Sequence, residues 1–85
     1  MNISKLEQRV LHVLAQVGEI QFERASNGKV TRVFCFTREG HLLSDCSLPI
    51  FERLKRRRFI RSHNGKPYRI ARGGITAVRP QIDNQ

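Results

Sequence analysis

Two groups of residues in this 85-residue chain could do chemistry: a scatter of histidines and cysteines, and a dense run of cations. Cys35, His41, Cys46 and His63 are the types that hold zinc. Their spacings do not match the short C-x(2–4)-C or H-x(3–5)-H pairs that bring two adjacent ligands to one metal. A nucleophile system needs a base and an orienting group converging in a cleft, and no spacing here favours one. His12 falls opposite the apolar stripe of its helix, and His41 and His63 sit beside turns, so all three read as solvated side chains. "RGG" at 72–74 follows a strand but lacks the Gly-Lys-Ser/Thr ending of a phosphate loop. The two cysteines stand among apolar and β-type residues and read as small core residues of a reducing compartment. No cofactor, metal or catalytic set is expected. A small basic ribonuclease with scattered His and Arg stays as an alternative.

The cations are more informative. "FERLKRRRFIRSHNGKPYRI", residues 51–70, carries Arg53, Lys55, Arg56, Arg57, Arg58, Arg61, Lys66 and Arg69 against a single acid, Glu52. The formal net charge is +9. Residues 1–52 hold six basic and six acidic residues, while residues 53–85 hold ten basic residues and one acid, Asp83. Such asymmetry between halves points to a polyanion or an acidic protein surface as partner. The plainer alternative is a solvated face, with Glu52 and Arg56 as an i, i+4 helix pair. Against it, the cations repel one another, and they fall on two neighbouring elements. These eight residues are the candidate partner- or nucleic-acid-binding set.

The elements that must position them are legible. The length suits one domain, residues 1–85, with 83–85 frayed, and 39% hydrophobic residues suffice for a core. No apolar run approaches the roughly 18 residues of a membrane span, and "MNISKLEQRV" does not resemble a signal sequence. The expected location is the cytoplasm. "SKLE" at 4–7 is a capping box, and Leu6, Val10, Val13, Leu14 and Val17 form a helical stripe, predicting a helix over about 5–17 with Gly18 as its left-handed cap. "EIQFER" and "VTRVFCFT" alternate as strands around Asn27-Gly28, where both central positions favour positive φ. "HLLSDC" is a third strand or an extended lead. Ser47 caps a helix from 48 to about 57, with Ile50, Phe51 and Leu54 on its inner face. A second hairpin, 59–63 and 66–70, turns at Asn64-Gly65. Pro67 places its second strand at an edge, and Tyr68 packs on the helix. "GGITAVRPQID" makes a short last helix broken near Pro80.

The fold expected is therefore α+β, a small single domain ordered α-β-β-(β)-α-β-β-α, winged-helix-like with a basic C-terminal half. A helix followed by an edge hairpin is the groove-and-backbone reader of winged helices, although here a hairpin stands where their middle helix would be.

"LEQRVLHVLAQVGEI", "TREGHLLSDCSLPIFERLKRRRFIRSHNGKPYRI" and "GGITAVRPQIDNQ" resemble the YjhX toxin family, end to end. The most particular pieces are "REG" with "DC" at 38–46 and "NGKPYRI" at 64–70. The resemblance implies the toxin half of a toxin–antitoxin pair, with an antitoxin resembling an acetyltransferase. It also implies an action by binding and inhibiting DNA topoisomerase I. The residues themselves show a basic binder. A winged-helix-like, DNA-binding transcriptional regulator is the alternative; DNA binding by the toxin is expected to be weak, largely sequence-independent and strongly salt-dependent, whereas tight, salt-resistant binding to one sequence would count for the regulator.

Overall fold

A computed structural model describes residues 3–78. The order is α1 (Lys5–Ala15), β1 (Glu19–Arg24), β2 (Val30–Phe36), β3 (Leu42–Leu43), α2 (Leu48–Arg56), β4 (Ile60–Arg61), β5 (Arg69–Ile70) and α3 (Arg72–Ala77). This is the α+β succession expected, in one small compact unit of helices and antiparallel sheet. The expected break at Pro80 and the frayed 83–85 lie outside the described residues.

Helix α1 opens with the capping box read from the sequence. The Glu7 N–H donates to Ser4 Oγ at 3.1 Å, and the Ser4 N–H donates to Glu7 Oε1 at 2.9 Å. The buried face differs from the predicted stripe. It is Glu7, Val10, Leu11 and Leu14, whereas Leu6 is 45% and Val17 60% exposed. The capping box explains the rotation, because it gives one carboxylate oxygen of Glu7 a backbone donor and so lets that residue turn inward. Val17 is outside the stripe because the helix has already ended. It takes the left-handed conformation (φ 71°) in place of Gly18. The Gly18 N–H reaches Val13 O at 3.1 Å and the Val17 N–H reaches Leu14 O at 3.2 Å, which is a Schellman closure. Gly18 is needed for room: a Cβ there would lie 2.8 Å from both Phe36 O and Val13 O.

Strands β1, β2 and β3 form one antiparallel sheet in that order. Its two connections repeat one device. Gly28 N–H donates to Ala25 O and Ala25 N–H to Lys29 O; Gly40 N–H donates to Thr37 O and Thr37 N–H to His41 O. Each turn ends on a glycine at positive φ, 88° and 91°. Asn27 does not share the positive φ expected of it; a turn closed by one left-handed glycine replaces the two-residue primed turn, with a register shift beyond Glu23. At Asn64-Gly65 the expectation holds, with φ of 55° and 76°.

Helix α2 starts at Ser47, whose hydroxyl accepts from the Ile50 N–H at 3.4 Å. Ile50, Phe51 and Leu54 are buried, and Phe51 meets Tyr68 edge-on at 4.9 Å between ring centroids. Tyr68 also meets Phe22 at 5.3 Å, so one ring joins α2 to β1. The strand after Pro67 is not a free edge. Tyr68 and Ile20 exchange both backbone hydrogen bonds, at 2.8 and 2.9 Å, while Arg69 and Ile70 pair with β4. Pro67 sits one residue before the first paired position, where its missing donor costs nothing. The second hairpin is thus stitched to the first sheet rather than standing apart as a wing.

Candidate cationic interface

The geometry of the basic face follows from how α2 stops. Arg58 takes φ 63°. Its N–H donates to Lys55 O and the Phe59 N–H donates to Leu54 O, both at 3.0 Å, a second Schellman closure. Phe59 and Leu54, the apolar pair that accompanies such a closure, are both buried. The chain therefore turns sharply at Arg58 and leaves its side chain beside Arg61 of β4.

Helix α3 packs on this corner. The Ala71 N–H donates to Phe59 O at 2.8 Å. A Cβ on Gly73 would stand 3.3 Å from Arg58 O, and one on Gly74 only 2.3 Å from Phe59 O. "RGG" is therefore a close-approach element: the glycines let α3 lie against the α2–β4 backbone. The approach encloses a groove of about 320 Å³ lined by Lys55, Arg58, Ile60, Arg61, Ala71, Arg72 and Gly73. Four of the seven are cations and none is an acid.

The eight residues named from sequence divide by position. Lys55, Arg58 and Arg61 share the groove. Arg53 and Arg56 are exposed on α2, where Glu52, Lys55 and Arg56 line a second, more open hollow of about 410 Å³, and Arg57 is exposed at its C-cap. Lys66 is exposed just past the Asn64-Gly65 turn. Arg69 leaves the set in electrostatic terms, because it donates to Glu19 of β1 at 2.9 Å. The i, i+4 pair expected between Glu52 and Arg56 does not form. Arg53, Lys55, Arg56, Arg58, Arg61, Lys66 and Arg72 have no carboxylate within ion-pair reach among the described residues. In the other half, Arg9 pairs with Asp45 and Arg32 with Glu23. The first half thus holds two ion pairs of its own, and the charge of the basic half stands largely uncompensated among the described residues.

Arg72 was missed from sequence. The signal for it was the pair Gly73-Gly74 that follows, which marks backbone contact and so brings its neighbour to the corner.

Cys35 and Cys46 are free thiols, both buried in the same core. The Cys46 thiol draws the Cys35 pKa below its ordinary value against the opposing effect of burial, while Cys35 and burial push Cys46 up. His41 and His63 are exposed, and His12 shares a 3.3 Å contact with Gln16. No three His, Cys, Asp or Glu side chains converge among the described residues, and no described helix is long and apolar enough to cross a membrane.

Against known proteins, a family model described as "Putative toxin of bacterial toxin-antitoxin pair" matches residues 1–85. The chain belongs to the YjhX toxin family. Its relatives include a UPF0386 protein of Ruegeria sp., 55% identical over 85 residues and covering the whole of both chains. Another, from Beijerinckia indica, is 54% identical with the same complete coverage. A UPF0386 protein of Caulobacter vibrioides is 51% identical, covering all of this chain and 93% of its own. No solved structure matches. Membership of the family brings with it an antitoxin as partner.

Proposed function

We propose that this protein is a toxin that acts in the cytoplasm by stoichiometric binding, without catalysis, and that its target is DNA topoisomerase I. The observation that carries the binding reading is the outward face of α2, where Arg53 and Arg56 have no acidic partner. Cations left uncompensated on a rigid, capped helix favour a counter-charged surface, and arginine meets carboxylates in pairs of hydrogen bonds. The identity of the target rests on the family resemblance. So does the antitoxin, proposed to be an acetyltransferase-like protein.

The test is relaxation of supercoiled plasmid by purified topoisomerase I with increasing amounts of the protein. Inhibition saturating near one-to-one supports the reading, and full activity at large excess refutes it. Arg53 and Arg56 changed together to alanine should keep the circular dichroism of the wild type, since exposed charges alter stability by about 0.5 kcal/mol or less. Removing a hydrogen bond made by a charged group costs roughly 1.5–3 kcal/mol. With one such bond from each arginine, potency should fall by about two to four orders of magnitude. Wild-type potency in that variant would move the docking face off α2.

A further inference from the structure

We infer that the groove between the end of α2, β4 and the start of α3 is a binding site for the phosphodiester backbone of DNA. This goes beyond the topoisomerase reading and does not depend on it. Lys55, Arg58, Arg61 and Arg72 come from α2, the corner after it, β4 and α3, and they converge on one hollow of about 320 Å³. Its remaining lining, Ile60, Ala71 and Gly73, is apolar or without a side chain, which suits the sugar that separates one phosphate from the next. Of the two residues that shape the hollow, one is conformationally costly and the other marks a close approach. Arg58 holds a left-handed backbone, φ 63°, that a non-glycine residue avoids. Gly73 keeps α3 close to the corner, with Arg58 O 3.3 Å from where a Cβ would be.

The number of cations selects the occupant. A single small anion needs fewer than four, and a folded acidic protein rarely presents several charges in so short a row. A DNA duplex presents on each strand one phosphate per roughly 3.4 Å of helix axis. Three guanidinium groups also favour phosphate, which they meet with paired hydrogen bonds. The contact carries no base readout, so binding is independent of sequence and sensitive to salt.

The experiment is fluorescence-anisotropy binding of the full chain to a labelled 20-base single strand and to its duplex, without topoisomerase, across a series of salt concentrations. Each phosphate contact contributes about 0.9 to the log–log salt slope, which is about eightfold in affinity at 0.1 M salt. Arg58, Arg61 and Arg72 changed together to glutamine should make the slope shallower by about 2 to 3 and weaken binding by about two to three orders of magnitude. Arg24, Lys29 and Arg38, changed together to glutamine, remove the same charge from the first sheet and should alter the slope by less than about 1. Equal losses from both triple variants would mean a diffuse attraction to net charge and would overturn the site. So would failure of the wild type to bind either DNA, or poly-glutamate competing as well as DNA at equal charge. A second measurement needs no variant: amide chemical-shift changes on adding an unlabelled thymidine oligonucleotide to the wild type. Changes concentrated at 55–61 and 71–73 support the groove, and changes centred on Arg53 or on the first hairpin refute it.

Discussion

Gly74→Ala tests the packing that creates the groove, and its outcome runs against the ordinary rule for glycine in a helix. Replacing a helical glycine with alanine normally stabilises by about 1 kcal/mol. Here the new methyl would lie 2.3 Å from Phe59 O, 2.8 Å from Ile70 Cγ1 and 3.2 Å from Phe59 C. Two of those atoms are backbone, and Phe59 O already accepts the Ala71 N–H. Relief therefore requires α3 to move away from the α2–β4 corner. Overpacking of this kind costs about 1–3 kcal/mol, and weakening the Ala71–Phe59 bond adds about 0.5–1.5 kcal/mol. Set against the helix-propensity gain, the net destabilisation is about 1–3 kcal/mol. For a domain of this size, that lowers the thermal midpoint by roughly 5–20 °C. Thermal unfolding followed by circular dichroism reads the change. Gly73→Ala is the internal comparison: its methyl would stand 3.3 Å from Arg58 O, close but not overlapping, and should stay within about 1 kcal/mol of wild type. An unchanged or raised midpoint in Gly74→Ala would show that α3 does not rest on this corner, and the groove would lose one wall.

Two further outcomes follow from backbone and burial. Val17→Gly removes a β-branched residue from a left-handed position and should raise stability by about 0.5–1 kcal/mol, read as a later denaturant midpoint with unchanged slope. Cys35 and Cys46 are buried in the core, and the ionisation of Cys46 is held back by Cys35 and by burial. Both should resist a thiol-specific disulfide reagent in the native protein and react at once in denaturant; fast native labelling would show that the core opens locally.

The sequence announced its elements through local chemistry. Ser4 with Glu7, Ser47, and the turn glycines each act within a few residues, so their effect is visible in a short window. What escaped was set by packing between distant segments. Gly18 looked like a helix cap because it follows the last apolar residue, but the cap fell to Val17, since Phe36 O occupies the space beside Gly18. Leu11 is buried because of what α1 packs against, not because it lies on the strongest stripe of its own wheel. Pro67 signalled an edge, yet Tyr68 finds Ile20 one residue later. For the interface, the cation run marked the right region but not its grouping. Arg69 looked equivalent to Arg61 and is instead held by Glu19, fifty positions away. Arg72 looked incidental and lines the groove.

The pairing of Tyr68 with Ile20 has a consequence in time. During synthesis the first sheet leaves the ribosome complete, with its hairpins closed by local turns. It still lacks the strand that borders β1 and the ring that seats against Phe22. Helix α2 and its cations follow next, but Phe51 has no edge-on partner until Tyr68 is made. Until that ring seats, α2 and its cations lack the edge-on contact that holds the helix on the sheet. The last contacts of the fold are therefore also the ones that fix the corner and gather these cations on one face.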